Sequence, residues 1–134
     1  MMIDMTYKQI VRKITESTCI IIFFKKNGDL RCMLGTRNTA MAADIAGFFS
    51  SKIQEYDNRH TEKTGSIAVI DLEKKEMRAF RIEYVVEIID LGDIRDDGVY
   101  DGAMADIYNY RAKYEEAVRE HMFDIVESDV ESND

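Results

Sequence analysis

The sequence predicts a small α+β fold built on an antiparallel sheet of about five short strands, surrounded by helices. Three observations support this prediction. An Asn-Gly pair joins two apolar runs, which is the strongest short-range signal for a β-hairpin. Further short segments rich in β-branched residues follow later in the chain. Before, between and after these segments, apolar residues recur at helical spacing.

The composition is that of one folded unit. The chain has 134 residues and is 46% hydrophobic and 33% charged, so it can bury one ordinary core. No apolar stretch approaches the roughly 20 residues of a membrane span. The N-terminal residues also lack the apolar region of a secretory signal. We therefore expect a soluble, cytoplasmic protein with no membrane partner.

The first predicted element is an amphipathic helix of about three turns over residues 5–16. Asp4 or Thr6 supplies a side chain that can cap its start. A helix this short is unstable alone, so it must dock on another element. Its predicted docking stripe consists of Tyr7, Ile10, Val11 and Ile14.

A hairpin is predicted next, with strands near 18–26 and 29–36. Asn27 and Gly28 would form a two-residue type I′ turn, which requires positive φ angles at both positions. The first strand is apolar at successive positions, so both of its faces need a cover, and helices of the same chain are the expected one. One face is predicted to carry Cys19, Ile21, Phe23, Leu30, Cys32 and Leu34, and the other Ile20, Ile22, Phe24 and Met33.

A helical insertion is predicted over residues 39–58, where Thr39 is a plausible cap and apolar residues recur at helical spacing. Three more strands are predicted near 66–72, 77–83 and 84–90. Their apolar character on both faces is typical of a small barrel, closed or strongly coiled, whose interior takes one face of each strand.

The acidity of the chain is concentrated at its end. Residues 1–90 contain 14 Lys and Arg and 13 Asp and Glu, a net charge of +1. Residues 91–134 contain 4 Lys and Arg and 13 Asp and Glu, a net charge of −9, and the two parts add to the total of −8. We therefore divide the chain into a barrel with its insertion over 1–90 and an acidic linker, helix and frayed tail over 91–134. That tail opposes binding to a phosphate backbone.

The sequence contains no pattern of residues that is typical of a catalytic site. The predicted register leaves Cys19 and Cys32 four positions apart, too far for a disulfide, so both are expected to be buried. His60 and His121 stand without the spacing of metal ligands. Motifs for nucleophilic, phosphate-binding or metal-dependent catalysis are missing. We expect a non-enzymatic protein with no metal and no cofactor.

The predicted element order is that of an Sm-like or SH3-like barrel. The segments FFKKNGDLRCMLGT and VIDLEKKEMRAFRIEYVVEI resemble the small WYL-like domain of tailed bacteriophages, over about residues 5–90. The resemblance implies an Sm-like fold and a phage accessory protein acting in the host bacterial cytoplasm; it implies no reaction. Met77 stands where that family usually has tryptophan. The matching positions are Lys25 or Lys26, Asn27, Gly28, Arg31, Met33 and Thr36, then Asp71, Leu72, Glu73, Lys74, Arg78, Phe80 and Arg81.

Two groups of residues are candidate binding sites. Basic residues on the strands could bind phosphates or carboxylates, or simply pair with acidic residues across the sheet. Strand alternation places two of them, Arg78 and Arg81, on opposite faces, so one shared patch would need a bulge or a bend. Tyrosines on the last helix could face a partner or rim a docked helix. The candidates are Lys25, Lys26, Arg31, Arg78 and Arg81, and Tyr108, Tyr110 and Tyr114.

The leading hypothesis is a phage accessory protein that binds a host or phage protein to modulate or inhibit it. Binding of RNA or DNA by the barrel is the alternative. Mimicry of nucleic acid by the acidic residues 91–134 and self-association through strand edges remain open as well.

Overall fold

A computed structural model of the protein describes residues 3–48, 52–95 and 99–128, with side chains described up to residue 116. Within these ranges the fold has four α-helices, five strands and one 3₁₀ turn. In chain order the elements are α1 (Tyr7–Glu16), β1 (Cys19–Phe24), β2 (Leu30–Thr36), α2 (Thr39–Ala46), α3 (Ile53–Arg59), β3 (Ser66–Asp71), β4 (Glu76–Arg81), the 3₁₀ turn (Ile82–Tyr84), β5 (Val85–Asp90) and α4 (Val99–Ser128).

The five strands form one antiparallel sheet in the order β4-β3-β2-β1-β5. The predicted α+β class is therefore confirmed. The sheet is open rather than closed, because β4 and β5 form its two edges and are not paired with each other. It is nevertheless strongly curved, since the rings of Phe23 on β1 and Phe80 on β4 approach to 5.6 Å between centroids.

The turn of the first hairpin differs from the prediction. Lys25 N donates to Asp29 O at 2.7 Å and Gly28 N donates to Lys25 O at 2.9 Å, which encloses a three-residue loop. Gly28 has a φ of +91°, and Asn27 is not among the residues with positive φ. This is a type I turn closed by a glycine bulge, not the predicted type I′ turn.

The extra loop residue shifts the whole register by one position. Ile22 pairs with Cys32, and Ile21 pairs with Met33. A shift of one residue moves a strand's side chains to the opposite face. The predicted faces of the hairpin were therefore wrong: Leu30, Cys32 and Leu34 share a face with Ile20 and Ile22, and Met33 joins Ile21 and Phe23.

Each face of the sheet covers its own hydrophobic cluster, and this explains the successive apolar residues of β1. Helix α1 covers one face and helices α2 and α4 cover the other. Full burial of each isoleucine contributes about 1.5–3 kcal/mol. The first cluster contains Ile10, Ile14, Cys19, Ile21, Phe23, Met33, Ile67, Val69, Phe80 and Val85; the second contains Ile20, Ile22, Cys32, Leu34, Ala42, Ile70, Leu72, Ile94, Ala103 and Ile107.

Helix α1 is closed at both ends by hydrogen bonds to residues outside it. Thr6 and Gln9 form a reciprocal capping box at its start. At its end, the carbonyl of Ile14 accepts from the buried hydroxyl of Thr36 at 3.1 Å and from Arg37 N at 2.7 Å. Because Thr36 ends β2, these bonds fix α1 against the sheet at the junction between β2 and α2.

The predicted helical insertion consists of two helices rather than one. Gly47 adopts a left-handed conformation, with φ at +63°, and its N–H donates to the carbonyls of Ala42 and Ala43. A glycine in this conformation ends a helix. The cap at the start is Asn38, whose side chain accepts from Met41 N, rather than Thr39. Residues 49–51 of the predicted insertion lie outside the described residues.

Helix α4 begins at Val99 and packs its first half on the second cluster through Ala103 and Ile107. Arg111 donates to the carbonyl of Cys32 at 2.9 Å and to the carboxylate of Glu73. That carbonyl is free because alternation along the β1–β2 ladder points it away from β1. Arg111 thus joins α4 to the edge of β2.

Both cysteines are free and buried, on opposite faces of the sheet. Burial raises the pKa of Cys19 to about 12 and that of Cys32 to about 11, from an ordinary value of 9.0. We expect maleimide or disulfide reagents at pH 8 to label native Cys32 about 100-fold and Cys19 about 1000-fold more slowly than the unfolded chain, because the thiolate is the reactive species. Labelling of the native protein at the rate seen in guanidinium would contradict this.

Candidate functional site

A groove with a volume of about 380 Å³ lies between the tip of the first hairpin and the edge strand β4. Helix α3 and the 3₁₀ turn also contribute to its walls. Its lining combines five cationic side chains with five aromatic rings, and no acidic residue lines it among the described residues. The lining residues are Phe23, Phe24, Lys25, Lys26, Arg31, Tyr56, Met77, Arg78, Ala79, Phe80, Arg81 and Tyr84.

The hairpin supplies three of the cations. Lys25 and Lys26 are exposed at its tip, and Arg31 lies opposite Phe23 on the face of the first cluster. None of the three makes an ion pair within the described part of the chain. Their charges are therefore available to a ligand, and Arg31 can bind a carboxylate or phosphate through two parallel hydrogen bonds.

Two carboxylates, one of them buried, fix the position of the Arg78 side chain. Its Nε lies 3.3 Å from a carboxylate oxygen of Asp71, which is 2% exposed, and its other end pairs with Glu76. Asp71 also accepts from the backbone N–H groups of Glu73 and Lys74 at 3.0 and 2.9 Å. The buried carboxylate thus shapes the β3–β4 turn and fixes the direction of Arg78.

Arg81 pairs with Glu83, and both side chains are more than half exposed. Such a pair contributes little to stability, so a ligand can compete for this arginine at small cost. Alternation along β4 does put Arg78 and Arg81 on opposite faces, as predicted from the sequence. Both nevertheless line the groove, because it follows the edge of β4 and takes side chains from both faces.

Tyr56 reaches the groove because α3 is anchored to the sheet. The two terminal nitrogens of Arg37 donate hydrogen bonds to the carboxylate of Asp57, at 2.9 and 3.0 Å. One of them also donates to the carbonyl of Ala68 on β3 at 2.8 Å. The guanidinium of Arg59 lies 4.7 Å from the centre of the Tyr56 ring. This ring is therefore a fixed part of the wall.

The β4 wall is an unpaired strand edge. Lys75 N donates to Asp71 O, and Ile82 N donates to Gly65 O, at the two ends of the β3–β4 ladder. The alternation of an antiparallel ladder between these bonds directs the N–H and C=O groups of Met77 and Ala79 away from β3. Within the described residues, no hydrogen bond engages these four groups.

The predicted tyrosines of α4 do not belong to the groove. Tyr110 and Tyr114 pack against the second cluster, and the Tyr114 hydroxyl donates to Glu87 on β5. Burial, and then this carboxylate, raises the pKa of Tyr114 to about 12, so its hydroxyl keeps its proton. Tyr108 is 58% exposed and lies beneath the guanidinium of Arg111. These contacts are those of a helix docked on the sheet.

All five predicted basic residues therefore meet in one groove. Sequence reasoning missed the aromatic part, since Tyr56 belongs to a predicted helical stripe, Phe24 to an apolar face of the predicted hairpin and Tyr84 to a predicted strand. Only the fold brings them to the same place. Tyr84 is 39% exposed in the 3₁₀ turn, and no sequence signal separated it from the strand predicted near 84–90.

The chain matches no protein-family model, no curated protein and no solved structure. In the described ranges, no helix combines the length and the apolar character needed to cross a bilayer. Those same ranges hold no cluster of three acidic, histidine or cysteine side chains able to bind a metal ion.

Proposed function

We propose that this protein is a non-enzymatic binding protein whose basic groove binds an acidic segment of a partner protein. The single observation that carries the proposal is the convergence of Lys25, Lys26, Arg31, Arg78 and Arg81 on one aromatic groove with no acidic lining among the described residues. Aromatic residues and arginine are enriched where proteins bind one another.

The charge of the whole chain favours a short acidic segment over a long polyanion. The net charge is −8, and residues 91–134 alone contribute −9. A long nucleic acid would extend beyond the groove and be repelled, whereas a short segment experiences mainly the local positive charge. The partner is thus a protein with an accessible acidic stretch.

The biological setting follows from the resemblance to WYL-like domains of tailed bacteriophages. We propose an Sm-like or SH3-like sheet, opened between β4 and β5, in a phage accessory protein that acts on a host or phage protein in the bacterial cytoplasm. The strand order and the 3₁₀ turn between β4 and β5 support the Sm-like or SH3-like part of this proposal.

Binding to the groove can be measured by fluorescence anisotropy with defined probes. A labelled eight-residue peptide alternating Glu and Val is the acidic probe, and a Lys and Val counterpart is its charge-reversed control. We expect the acidic peptide to bind and its affinity to fall as salt is raised. We expect the Lys and Val peptide not to bind.

Charge reversal at the hairpin should weaken this binding about 100-fold, because each lost and reversed contact contributes close to 1 kcal/mol. The variant is Lys25→Glu, Lys26→Glu and Arg31→Glu together. The matched control reverses three exposed cations outside the groove: Lys8→Glu, Arg12→Glu and Lys63→Glu. Equal losses in the two triple variants would mean that only net charge matters and would contradict the proposal.

Single-stranded nucleic acid is the second candidate, favoured by one observation. The rings of Phe24, Tyr56 and Tyr84 lie among the cations, an arrangement that suits stacked bases beside phosphates. Single-stranded RNA and DNA probes of twelve nucleotides should be titrated in the same anisotropy assay. Tighter binding of either oligonucleotide than of the acidic peptide, lost in the hairpin variant, would assign the groove to this candidate.

A further inference from the structure

We propose that the groove binds its partner by strand addition, with an extended acidic segment pairing along the free edge of β4 as a sixth strand. This inference rests on the proposed function and specifies the form of the bound segment. It is based on the main-chain groups of the groove wall, whereas the proposed function is based on the charges of the side chains.

The edge offers the hydrogen bonds that an added strand requires. Met77 and Ala79 line the groove, and their N–H and C=O groups point away from β3 without a partner in the described residues. These groups are two residues apart, which is the repeat of a β-ladder. Main-chain bonds of this kind supply affinity in strand-addition complexes, while flanking side chains supply specificity.

The side chains beside the edge define the sequence pattern of the added strand. Arg78 and Phe80 project to the face that also carries Arg31, whereas Met77 and Ala79 project to the other face. Alternate residues of the added strand would face these two environments in turn. Acidic residues would meet Arg31 and Arg78 on one face. Small apolar residues would lie beside Met77 and Ala79 on the other face, where Arg81 stands at the end of β4. The partner is therefore an extended segment that alternates acidic and apolar residues.

Charge complementarity favours an acidic segment as the occupant, and we take a separate protein as its source. Two other occupants would compete for the same edge: the acidic end of this chain and the β4 edge of a second copy. Each gives a different result in the experiment below. A second copy would also bring its own Lys25, Lys26 and Arg31 close to this groove, where like charges repel.

Amide hydrogen exchange followed by NMR tests the pairing directly on the 134-residue chain. Saturation with the eight-residue Glu and Val peptide should slow exchange of the Met77 and Ala79 amides at least about tenfold, since both acquire a hydrogen bond. The amides of Arg78 and Phe80 are the internal control, because β3 already binds them. Their exchange should change much less.

Methylation of the peptide backbone provides a second, independent readout. One peptide carries N-methyl groups on every Val and another on every Glu, so that each loses the N–H donors of one alternate set of residues. A strand paired with β4 would use the N–H groups of only one of these two sets, because the other set points away from β4. We expect one methylated peptide to lose at least about tenfold in affinity and the other to bind as the parent does.

The outcomes separate this inference from the proposed function. If the parent peptide binds, is weakened by the hairpin variant and yet tolerates both methylation patterns equally, strand addition is wrong and the proposed function stands. If the parent peptide does not bind, both are wrong. The amides of Met77 and Ala79 could instead be protected already in the free protein, and either form of that result overturns the inference. Protection that does not depend on protein concentration would identify the acidic end of this chain as the occupant. Protection that rises with protein concentration would identify a second copy.

Discussion

Replacing Gly35 with valine should lower the free energy of unfolding by about 3 kcal/mol, which is at the upper end for overpacking in a core. A Cβ atom at Gly35 would lie 2.9 Å from Val69 Cγ2, 3.3 Å from Ile21 Cδ1 and 3.3 Å from the carbonyl of Ile70. A side chain can shift, but the Ile70 carbonyl belongs to the strand that pairs with this part of β2. We expect a drop in Tm of about 12 °C by calorimetry, at about 4 °C per kcal/mol for a chain of this size.

Gly102 provides the matched control for this prediction. It lies in the first half of α4, and an added Cβ there would meet no atom within 4 Å. Gly102→Ala should leave stability unchanged or raise it by up to about 1 kcal/mol, because alanine is the better helix former. Unchanged stability in Gly35→Val would show that β2 and β3 separate freely at this point.

The second large effect is expected from Arg111→Met, which should lower the free energy of unfolding by about 2–3 kcal/mol. The change keeps an unbranched side chain that can still pack on α4 and favours a helix. It removes the ion pair with Glu73, whose side chain is only 19% exposed, and leaves the carbonyl of Cys32 without its donor. Urea unfolding of both proteins at pH 7 measures the difference.

The pH dependence of that difference has a defined sign. The hydrogen bond from Arg111 holds the pKa of Glu73 below its ordinary value of 4.5. A carboxyl group whose pKa is depressed by folding stabilises the protein fully above its unfolded pKa, and this contribution is lost as the pH falls through the folded pKa. The stability gap between the native protein and Arg111→Met should therefore be constant near neutrality and narrow below pH 4.5.

Arg12→Met is the control for the pH experiment. Arg12 pairs with Glu16 on α1, and the two side chains are 80% and 65% exposed. An exposed pair of this kind contributes at most a few tenths of a kcal/mol. A comparable loss of stability in Arg12→Met, or a gap that widens in acid for Arg111→Met, would contradict the assigned role of Arg111.

Local signals predicted the elements well, because they depend on neighbouring residues. The stripe through Ile10 and Ile14 suffices to place α1, and Thr6, which caps it, was one of the two caps expected from the sequence. The register of the first hairpin was missed because β1 is apolar on both faces, so a shift of one residue leaves no polar side chain buried to reveal the error. Gly28 fits both turn types, and only the backbone of Asn27 distinguishes them.

The groove was predictable only in part, since it depends on contacts between distant residues. The five cations and a strong curvature of the sheet were predicted from the sequence, but the approach of Phe80 to Phe23 was not. The anchor between Arg37 and Asp57, which positions Tyr56, joins residues from β2's end and from α3 with no shared motif. Whether the acidic end mimics nucleic acid depends on side chains beyond residue 116, which lie outside the described part of the chain.

The narrow junction between β2 and β3 has a mechanical consequence. Only two residue pairs, Gly35 with Asp71 and Thr36 with Ile70, join these strands, together with the bond from Leu72 N to Leu34 O. The β1–β2 and β3–β4 hairpins are each paired over six positions. The relative position of the two hairpins therefore depends more on the side chains that both contribute to the two clusters than on main-chain bonds. Because the groove has one wall on each hairpin, its width depends on the same side-chain packing.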